Sequence, residues 1–319
     1  MTQTVLVTGG AGYVGSHVCK ALARSGYCPV VVDNLTRGHA SAAKWGPLAV
    51  HDLEDVKALR ALLERYQVCA IVHMAALAYV GESTRIPETY FRNNVIGTLL
   101  FLEAVLDAQV EHFVFSSTCA VYGKAGDLPI TEAHALEPLS PYGESKLFIE
   151  KVLQSYQATH RLNWASLRYF NAAGADLDGE LGEDHDPETH LIPSAMQALS
   201  GRRAFIEIHG TDYPTPDGTA VRDYVHVADL ADAHVRALEH LMRGGRSGAF
   251  NLGTGHGHSV RQVIDAVARV CRRPVPVVAG PRRPGDSPVL VADATKAATV
   301  LGWRARCSEL DTILESAWR

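Results

Sequence analysis

The chain has 319 residues and a formal net charge of −5, from 30 Lys and Arg residues against 35 Asp and Glu residues. Hydrophobic residues make up 47% and charged residues 20%, as in ordinary globular proteins, so disorder and collagen-like repeats are excluded. The length predicts about two domains or one large α/β unit. No basic block indicates a nucleic-acid partner, and no apolar run approaches the roughly 18 residues of a membrane span.

The N-terminus and the cysteines predict a cytoplasmic protein. The first four residues lack the basic segment of a signal peptide. The 6 cysteines are scattered and form no Cys-x-x-Cys pair, which indicates reduced thiols in a chain of this length. The 15 histidines show no His-Glu-x-x-His or similar ligand spacing, so no metal site is predicted.

Short apolar runs alternate with helical patterns in the first half of the chain. Strands rich in Val, Ile, Leu and Phe are predicted at 5–8, 29–33, 48–52, 70–75, 112–117 and 164–171. Helices are predicted at 13–25, 54–66, 88–109 and 141–160. Ser140 is a suitable N-cap for the last of these helices, and Pro141 suits its first position. The alternation predicts an α/β fold with a doubly wound parallel sheet of the Rossmann type.

The chain beyond residue 171 has a weaker pattern. Exposed loops are predicted at 176–188 and 213–218, helices at 191–200 and 227–242, and a strand at 249–253. The glycine-rich stretch 253–257 is interpreted as a turn, followed by an N-cap at Ser259. We predict a Rossmann domain at 1–171 and a smaller α/β domain at 172–319, with part of 225–257 returning to the first domain.

Each predicted parallel strand is followed by small or polar residues. Ligands of open α/β sheets bind beyond the carboxyl ends of the strands, so these residues are expected to surround one site. They are Gly9-Gly10, Asp33-Asn34, Asp52, Ala75-Ala76, Ser116-Ser117-Thr118 and Asn171.

A dinucleotide site is indicated by Gly9-x-x-Gly12-x-x-Gly15, which follows a strand and opens a helix. Glycines let the backbone approach a pyrophosphate, and the helix N-terminus supplies N–H donors. Asp33 closes the second strand 18 residues after Gly15. A carboxylate there accepts hydrogen bonds from the ribose and repels a 2′-phosphate, which favours NAD over NADP. Asp52 suits either the adenine pocket, together with Leu53, or a helix cap.

A catalytic pair is predicted at Tyr142 and Lys146, which lie at i and i+4 on one helical face. A free tyrosine has a pKa near 10, too high for a base at neutral pH. A neighbouring ammonium group and a positive nicotinamide ring are expected to lower that pKa and favour the phenolate. The preceding strand ends at 116–118 and can deliver a hydroxyl group to the same place.

These motifs resemble the extended short-chain dehydrogenase/reductase superfamily and, within it, the family of UDP-glucose (UDP-galactose) 4-epimerases. The most specific segment is GTDYPTPDGTAVRDY at 210–224. The resemblance covers nearly the whole chain, and its other segments are 7–17, 73–76, 93–98, 115–123, 140–146, 167–171, 226–232 and 281–293.

The resemblance implies reversible C4 epimerisation of a UDP-hexose in galactose metabolism, through a 4-keto intermediate and transient hydride transfer to tightly bound NAD. It implies catalysis by Tyr142, Lys146 and Thr118. The implied NAD contacts are Gly9, Gly12, Tyr13, Val14, Gly15, Asp33, Asn34, Asp52, Leu53, Ala75, Ala76, Asn93, Ser116, Tyr142, Lys146 and Tyr169. The implied UDP-sugar contacts are Thr118, Tyr142, Asn171, His190, Leu191, Ile208, His209, Arg222, Tyr224, Arg283 and Asp286.

Three positions depart from the family pattern. Ala78 stands where some members have a lysine near the pyrophosphate, and His209 stands where some have an aromatic ring on the uracil. Leu290 occupies a position that limits bulk near the sugar's 2-substituent, which leaves open whether N-acetylated sugars fit.

Three other functions remain as alternatives. An epimerase that prefers a UDP-pentose or a UDP-N-acetylhexosamine would carry nearly the same motifs. A nucleotide-sugar 4,6-dehydratase needs further acid/base groups, whereas Thr118-Cys119-Ala120 offers no carboxylate. A non-catalytic NAD sensor usually lacks the Tyr–Lys pair.

The resemblance also implies a homodimer formed through the helices predicted at 88–109 and 141–160. Leu99, Leu102, Val105 and Leu106 lie at helical spacing on the first of them, although packing on the parent sheet accounts equally well for such a stripe.

Overall fold

A computed structural model describes residues 2–123, 128–283 and 286–319. Its strands in chain order are β1 (Thr4–Thr8), β2 (Cys28–Asp33), β3 (Leu48–Val50), β4 (Ala70–His73), β5 (His112–Thr118), β6 (Asn163–Tyr169), β7 (Asn171–Ala173), β8 (Ile206–His209), β9 (Val221–Arg222), β10 (Tyr224–His226), β11 (Gly248–Leu252), β12 (His258–Ser259), β13 (Val277–Gly280) and β14 (Val289–Leu290). Seven of them form a parallel sheet in the order β11-β6-β5-β4-β1-β2-β3. The expected doubly wound α/β fold is therefore confirmed.

Helices cover both faces of this sheet, and others form a smaller unit in the second half of the chain. They are α1 (Tyr13–Arg24), α2 (Val56–Arg65), α3 (Val80–Ser83), α4 (Pro87–Phe91), α5 (Gly97–Asp107), α6 (Pro141–His160), α7 (Leu191–Leu199), α8 (Val227–Met242), α9 (Val260–Cys271) and α10 (Leu310–Trp318). Short 3₁₀ turns lie at Ala40–Ala42 and Cys119–Val121, and π turns at Arg92–Ile96 and Ala297–Leu301.

The large sheet is buried on both sides because successive side chains of each strand point to opposite faces. In β1, Val5 and Val7 join the core formed with α1 and α8. Leu6 between them joins the core on the opposite face, with α2, α5 and α6. Two-sided burial explains why these strands are continuous apolar runs without polar alternation.

Helix α6 begins where the sequence predicts it. The Ser140 side chain accepts the N–H of Gly143, and Pro141 occupies the first turn. The cap fixes the register of the helix, and Tyr142 consequently lies in its first turn. At Ser259 the predicted cap is also present, as a reciprocal capping box with Gln262 at the start of α9.

Two predicted elements differ in detail. The strand expected at 164–171 ends at Tyr169, and the chain then starts β7, which pairs with β10 in a separate two-stranded sheet. The helix expected at 88–109 begins at Pro87 and contains the π turn Arg92–Ile96. Hydrophobic periodicity does not resolve either feature, because it carries no information on the backbone hydrogen-bond partners that define a π turn or a change of sheet.

The second half builds a smaller unit beside the carboxyl ends of the large sheet. It consists of the strand pair β8–β13, the three-stranded sheet β12-β9-β14 and helices α7, α9 and α10 around their own apolar core. Helix α8 and strand β11 return to the first unit, where α8 packs on α1 and β11 pairs in parallel with β6. The 6 cysteines, all in described regions, are free thiols. None of the helices in the described ranges is both long and apolar enough to cross a membrane.

Candidate active site

A cavity of about 1280 Å³ lies between the carboxyl ends of the large sheet and the second unit. It is lined by residues that follow β1, β2, β4, β5 and β6, as the strand-end pattern predicts. It extends without interruption from the glycine-rich loop to Arg222 and Arg283. One cavity can therefore hold two ligands end to end.

The glycine-rich loop leaves no room for side chains. A Cβ atom on Gly15 would lie 2.1 Å from the Gly9 carbonyl oxygen, and one on Gly9 would lie 2.6 Å from the Ala75 nitrogen. Gly9 also has a φ of 68°, which favours glycine. Helix α1 consequently starts close to the end of β1, with its N-terminus facing the cavity. This bare backbone cradle fits the pyrophosphate of a dinucleotide.

Asp33 is buried at the end of β2 and is oriented by the loops around it. Its carboxylate accepts the N–H groups of Ala11 and Leu35 at 3.0 and 2.9 Å. Asn34 donates to Asp52 at 2.9 Å, and both residues line the cavity. The alternative role of Asp52 as a helix cap is wrong, because Asp55 caps α2 by accepting the N–H of Ala58.

The segment that follows β4 lies beside the glycine-rich loop. Ala75, Ala76 and Ala78 line the cavity, together with Asn93 from the π turn. A π turn widens a helix locally, and such turns are frequent at functional sites. The neighbouring Asn94 side chain binds both the N–H and the carbonyl of Leu77 and thereby holds this segment against the helix.

Tyr142, Lys146 and Thr118 meet at the centre of the cavity. The Lys146 ammonium nitrogen lies 6.0 Å from the Tyr142 ring centroid and donates to the Ser116 carbonyl at 2.9 Å. Ser116 also shares a hydrogen bond of 2.5 Å with the Tyr169 hydroxyl. The cavity is lined by all five residues, namely Ser116, Thr118, Tyr142, Lys146 and Tyr169. Strands β5 and β6 and helix α6 therefore position the predicted catalytic groups together.

In the protein alone, the surroundings of Tyr142 favour its neutral phenol form. Burial raises the pKa of Tyr142 above its ordinary value of 10.0, the nearby Tyr169 hydroxyl raises it further, and a hydrogen bond with Thr118 lowers it only in part. Burial also lowers the pKa of Lys146 to about 7, so this group is only partly cationic at neutral pH. Desolvation outweighs the tuning expected from Lys146, and the phenolate needs a further positive charge in the cavity.

A buried polar network holds β5 against α6 behind these groups. Arg168 forms a two-pronged ion pair with Glu150, at 2.9 and 2.5 Å. Glu150 accepts the Ser117 hydroxyl at 2.5 Å, and Arg168 donates to the Tyr122 hydroxyl at 2.9 Å. Such satisfied networks give a site a single geometry.

The second unit supplies the other end of the cavity. The UDP-sugar residues expected from the resemblance line its wall with one exception, and they are Thr118, Tyr142, Asn171, His190, Leu191, His209, Arg222, Tyr224, Arg283 and Asp286. Arg222 forms a close ion pair with Asp286. Strand pairing places Tyr224 beside Asn171 and Leu290 beside Arg222. Burial and the charge of Arg283 lower the pKa of His209, whose neutral ring suits stacking on a base.

Ile208 is the exception. The side chains of β8 alternate between buried and accessible, and Ile208 points into the apolar core of the second unit with Ile206. Its predicted contact with substrate is therefore not made by a side chain lining the cavity. His209, one residue later, lines the wall, as do Ile206 and Glu207 earlier on the same strand.

The structure adds residues that sequence reasoning missed. Arg37 lines the cavity, lies 5.3 Å from the centroid of the Tyr79 ring and donates to the Asp186 carbonyl at 2.8 Å. Arg203 donates to the Glu188 carbonyl at 2.8 Å. Both arginines hold residues 183–190, which we call the rim loop, at the cavity edge. Only Arg37, close after Asp33 in the chain, could have been suspected from its position.

The expectation of an exposed loop at 176–188 is wrong for part of that segment. Asp176 and Glu188 are buried, and the Glu183 side chain is only 8% exposed. Tertiary contacts with Lys20 and with the rim-loop histidines explain why these carboxylates are buried. The turn predicted at 253–257 also has a specific partner, because the buried Asp223 carboxylate accepts the N–H groups of Thr254 and Gly255. Those donors are occupied and do not form a second phosphate cradle.

The fold and the site define a dinucleotide-binding α/β protein of the short-chain dehydrogenase/reductase type. Residues 5–253 match the NAD dependent epimerase/dehydratase family. The chain belongs to that family.

Several similar proteins are named UDP-glucose 4-epimerase. The chain is 51% identical over 316 residues to the UDP-glucose 4-epimerase of Rhizobium meliloti, covering 99% of this chain and 96% of the relative. The crystal structure of UDP-glucose 4-epimerase from Brucella ovis in complex with NAD matches with a TM-score of 0.97 and 50% identity, covering 99% and 98% of the two chains. The Stenotrophomonas maltophila enzyme, crystallised with NAD and formylated UDP-arabinopyranose, matches with a TM-score of 0.95 and 41% identity, covering 99% and 97%. These findings confirm the resemblance inferred from the motifs.

Proposed function

We propose that the protein interconverts UDP-galactose and UDP-glucose by inverting C4 of the sugar, with NAD retained throughout turnover. The observation that carries this proposal is one continuous cavity that joins the glycine cradle, the Tyr142–Lys146–Thr118 group and the paired residues Arg222 and Asp286. The names of relatives similar over 99% of the chain support it. We assign NAD mainly to residues 1–171 and the UDP-sugar mainly to 172–319.

The nucleotide half fits NAD in this structure. The bare loop at Gly9, Gly12 and Gly15 would hold the pyrophosphate, and the buried Asp33 carboxylate would accept the ribose hydroxyls. Lys146 lines the same cavity beside Tyr142, where the nicotinamide ribose is expected. When bound, NAD supplies a hydride acceptor for a reaction that has no net redox change.

Tyr142 is proposed to take the proton of the sugar 4-hydroxyl and later return one to C4–O. Its pKa is raised in the protein alone, so proton removal is favoured only when cationic charge enters the cavity beside it. Thr118 would donate or accept a hydrogen bond at the same oxygen. Lys146 is anchored by the Ser116 carbonyl, which keeps its nitrogen next to Tyr142 as its charge changes.

The uridine diphosphate would bind at the far end of the cavity. Arg222 and Arg283 suit phosphates, since a guanidinium group makes charge-assisted, often paired hydrogen bonds. Asp286 holds Arg222 in place, and the neutral His209 ring offers a stacking surface. Binding through the nucleotide would leave the sugar free to turn over at C4.

The alternative chemistries are less well supported. Burial raises the pKa of Cys119 to about 12, so its thiol is neutral and does not replace the missing dehydratase carboxylate at neutral pH. The intact Tyr142–Lys146 pair argues against a mere NAD sensor. Preference for a UDP-pentose or a UDP-N-acetylhexosamine stays open, because Leu290 is neither very large nor small.

The decisive experiment is a product assay without added cofactor. Purified protein is incubated separately with UDP-galactose, UDP-N-acetylgalactosamine and UDP-xylose, and the products are identified by chromatography. We expect the 4-epimer of UDP-galactose to form fastest. If none of the three changes at C4, the proposed function is wrong. If another sugar turns over faster, the substrate preference must be reassigned.

We further propose that the protein is a homodimer in the cytoplasm. Phe91 and Ile96, on the helix that runs from α4 into α5, and Phe148 on α6 are apolar and exposed. The apolar stripe on α5 does not mediate pairing through all its residues. Leu102 and Val105 pack against the parent sheet, where they are fully buried. We expect Phe148→Glu to reduce the mass measured by light scattering to that of a monomer. The control Val300→Glu, at an exposed valine in the π turn Ala297–Leu301, should leave it unchanged.

A further inference from the structure

Four metal-binding side chains converge within the rim loop. Glu183, His185, Glu188 and His190 each place one ligand atom within 4.8 Å of the others. They follow the spacing Glu-x-His-x-x-Glu-x-His, which places four donors in eight residues and which the expectation of no ligand spacing among the histidines overlooked. Such a donor set of two imidazoles and two carboxylates is typical of zinc and related divalent ions.

Three of the distances between the ligand atoms are close to those expected around one small ion. His185 Nδ1 lies 3.2 Å from Glu183 Oε1 and 3.7 Å from Glu188 Oε2, and His190 Nδ1 lies 3.7 Å from Glu188 Oε1. His190 Nδ1 is also in close contact with Glu183 Oε1. Ligands about 2.0–2.2 Å from a tetrahedral zinc ion are separated by about 3.3–3.6 Å. The separation of 3.2 Å lies just below that range and the two of 3.7 Å, which involve different oxygens of Glu188, lie just above it, whereas the close contact of His190 with Glu183 must open when an ion binds.

Burial and charge also favour an ion. The Glu183 and Glu188 side chains are 8% and 3% exposed, so two carboxylates sit largely out of water. Among the described residues, His185 Nδ1 is buried without a hydrogen bond of acceptable geometry. A divalent cation would neutralise both carboxylates and use this nitrogen at once.

The surroundings orient the ligands from outside. Glu188 Oε1 accepts the N–H groups of Thr189 and His190, both at 2.8 Å, which fixes the carboxylate. The rings of Tyr13 and Tyr79 pack edge-on against His185, with centroids 6.1 and 5.8 Å away. Supporting contacts of this kind are the usual second layer of a metal site.

We propose that the rim loop binds one divalent transition-metal ion, preferentially Zn²⁺, through Glu183, His185, Glu188 and His190. The ion fixes the loop against Tyr13 of the glycine cradle and against Arg203 of the second unit, across the edge of the cavity. His190, which lines the cavity, is held through Nδ1 and keeps its Nε2 edge for other contacts. The role is structural, so binding of the ion does not depend on the proposed reaction.

Protonation of the histidines is the alternative to a metal ion for neutralising the two carboxylates of the cluster. Burial lowers the pKa of His185, but Glu183 and Glu188 raise it more strongly, and the net value is about 9. A protonated histidine network would give similar contacts without a metal. The two states differ in metal content, which is the quantity to measure.

The test uses full-length protein with any histidine tag removed. Zinc is measured by mass spectrometry in the parent, in His185→Ala and in Asp184→Asn, a change at an adjacent side chain that is 85% exposed. We expect about one zinc per chain in the parent and the control, and under about 0.1 in His185→Ala. Retention of zinc by His185→Ala, or equal loss from the control, would refute this site.

A second measurement needs no variant. The parent is stripped with a chelator and titrated with Co²⁺, whose tetrahedral complexes absorb strongly in the visible range. We expect an absorption band that saturates at about one equivalent and disappears on addition of Zn²⁺. If neither Zn²⁺ nor Co²⁺ binds, the cluster is the protonated network and the proposal is wrong. UDP-galactose turnover can persist in that case, so failure of the metal site is distinguishable from failure of the epimerase assignment.

Discussion

Gly15 sets how closely helix α1 approaches the end of β1. In Gly15→Ala the new Cβ atom would lie 2.1 Å from the Gly9 carbonyl oxygen, where ordinary contacts begin at 3.4 Å. The backbone must therefore open by about 1.3 Å, the difference between these distances, at the cradle proposed for the pyrophosphate. The atoms in the way are backbone atoms of Gly9 and Gly10, which cannot rotate aside as a flexible side chain can.

We expect Gly15→Ala to lose most of its bound NAD and to lower the free energy of unfolding by about 1–3 kcal/mol. NAD is measured in the supernatant after heat denaturation, and stability is measured by urea unfolding of the cofactor-free proteins. Gly81→Ala is the matched control, because Gly81 also lines the cavity but a Cβ atom there meets nothing within 4 Å. If Gly15→Ala keeps as much NAD as the parent and unfolds within about 0.5 kcal/mol of it, the cradle does not work as argued.

Three further predictions concern the centre and the far end of the cavity. Tyr142→Phe should lower kcat by about 10²–10⁴-fold while NAD stays bound, and near-normal turnover would remove Tyr142 from proton transfer. Because burial lowers the pKa of Lys146 to about 7 from 10.5, the unfolded chain binds more protons between these values, so stability of the cofactor-free protein should rise with pH there. Urea unfolding at pH 7, 8 and 9 should show this rise in the parent and a flatter profile in Lys146→Met, whereas identical slopes would contradict the shift. Arg222→Ala should raise KM for the UDP-sugar by about 10–100-fold without NAD loss, and an unchanged KM would place the diphosphate elsewhere.

Local signals in the sequence predicted most elements of the first half. Apolar runs located the strands, because β1, β2 and β4 are covered on both faces and are apolar at most positions, whereas the edge strand β3 is only partly buried. The cap at Ser140 and Pro141 located the start of α6 and hence the Tyr142–Lys146 pair. The glycine loop and Asp33 could also be predicted from the sequence. A close backbone approach requires glycine, and binding of ribose hydroxyls at a strand end requires a carboxylate.

Tertiary structure alone decided the features that depend on distant partners. The sequence could not show that β11 pairs with β6, or that Asn171 starts a new sheet with Tyr224. The residues of a short strand do not specify which other strand it pairs with. The lowered pKa predicted for Tyr142 depends on a positive nicotinamide ring as well as on Lys146. In the protein alone burial, which is a property of the packed cavity, raises that pKa. The rim loop reads as a polar, exposed segment, and only folding against Tyr13 and Arg203 buries its carboxylates beside its histidines.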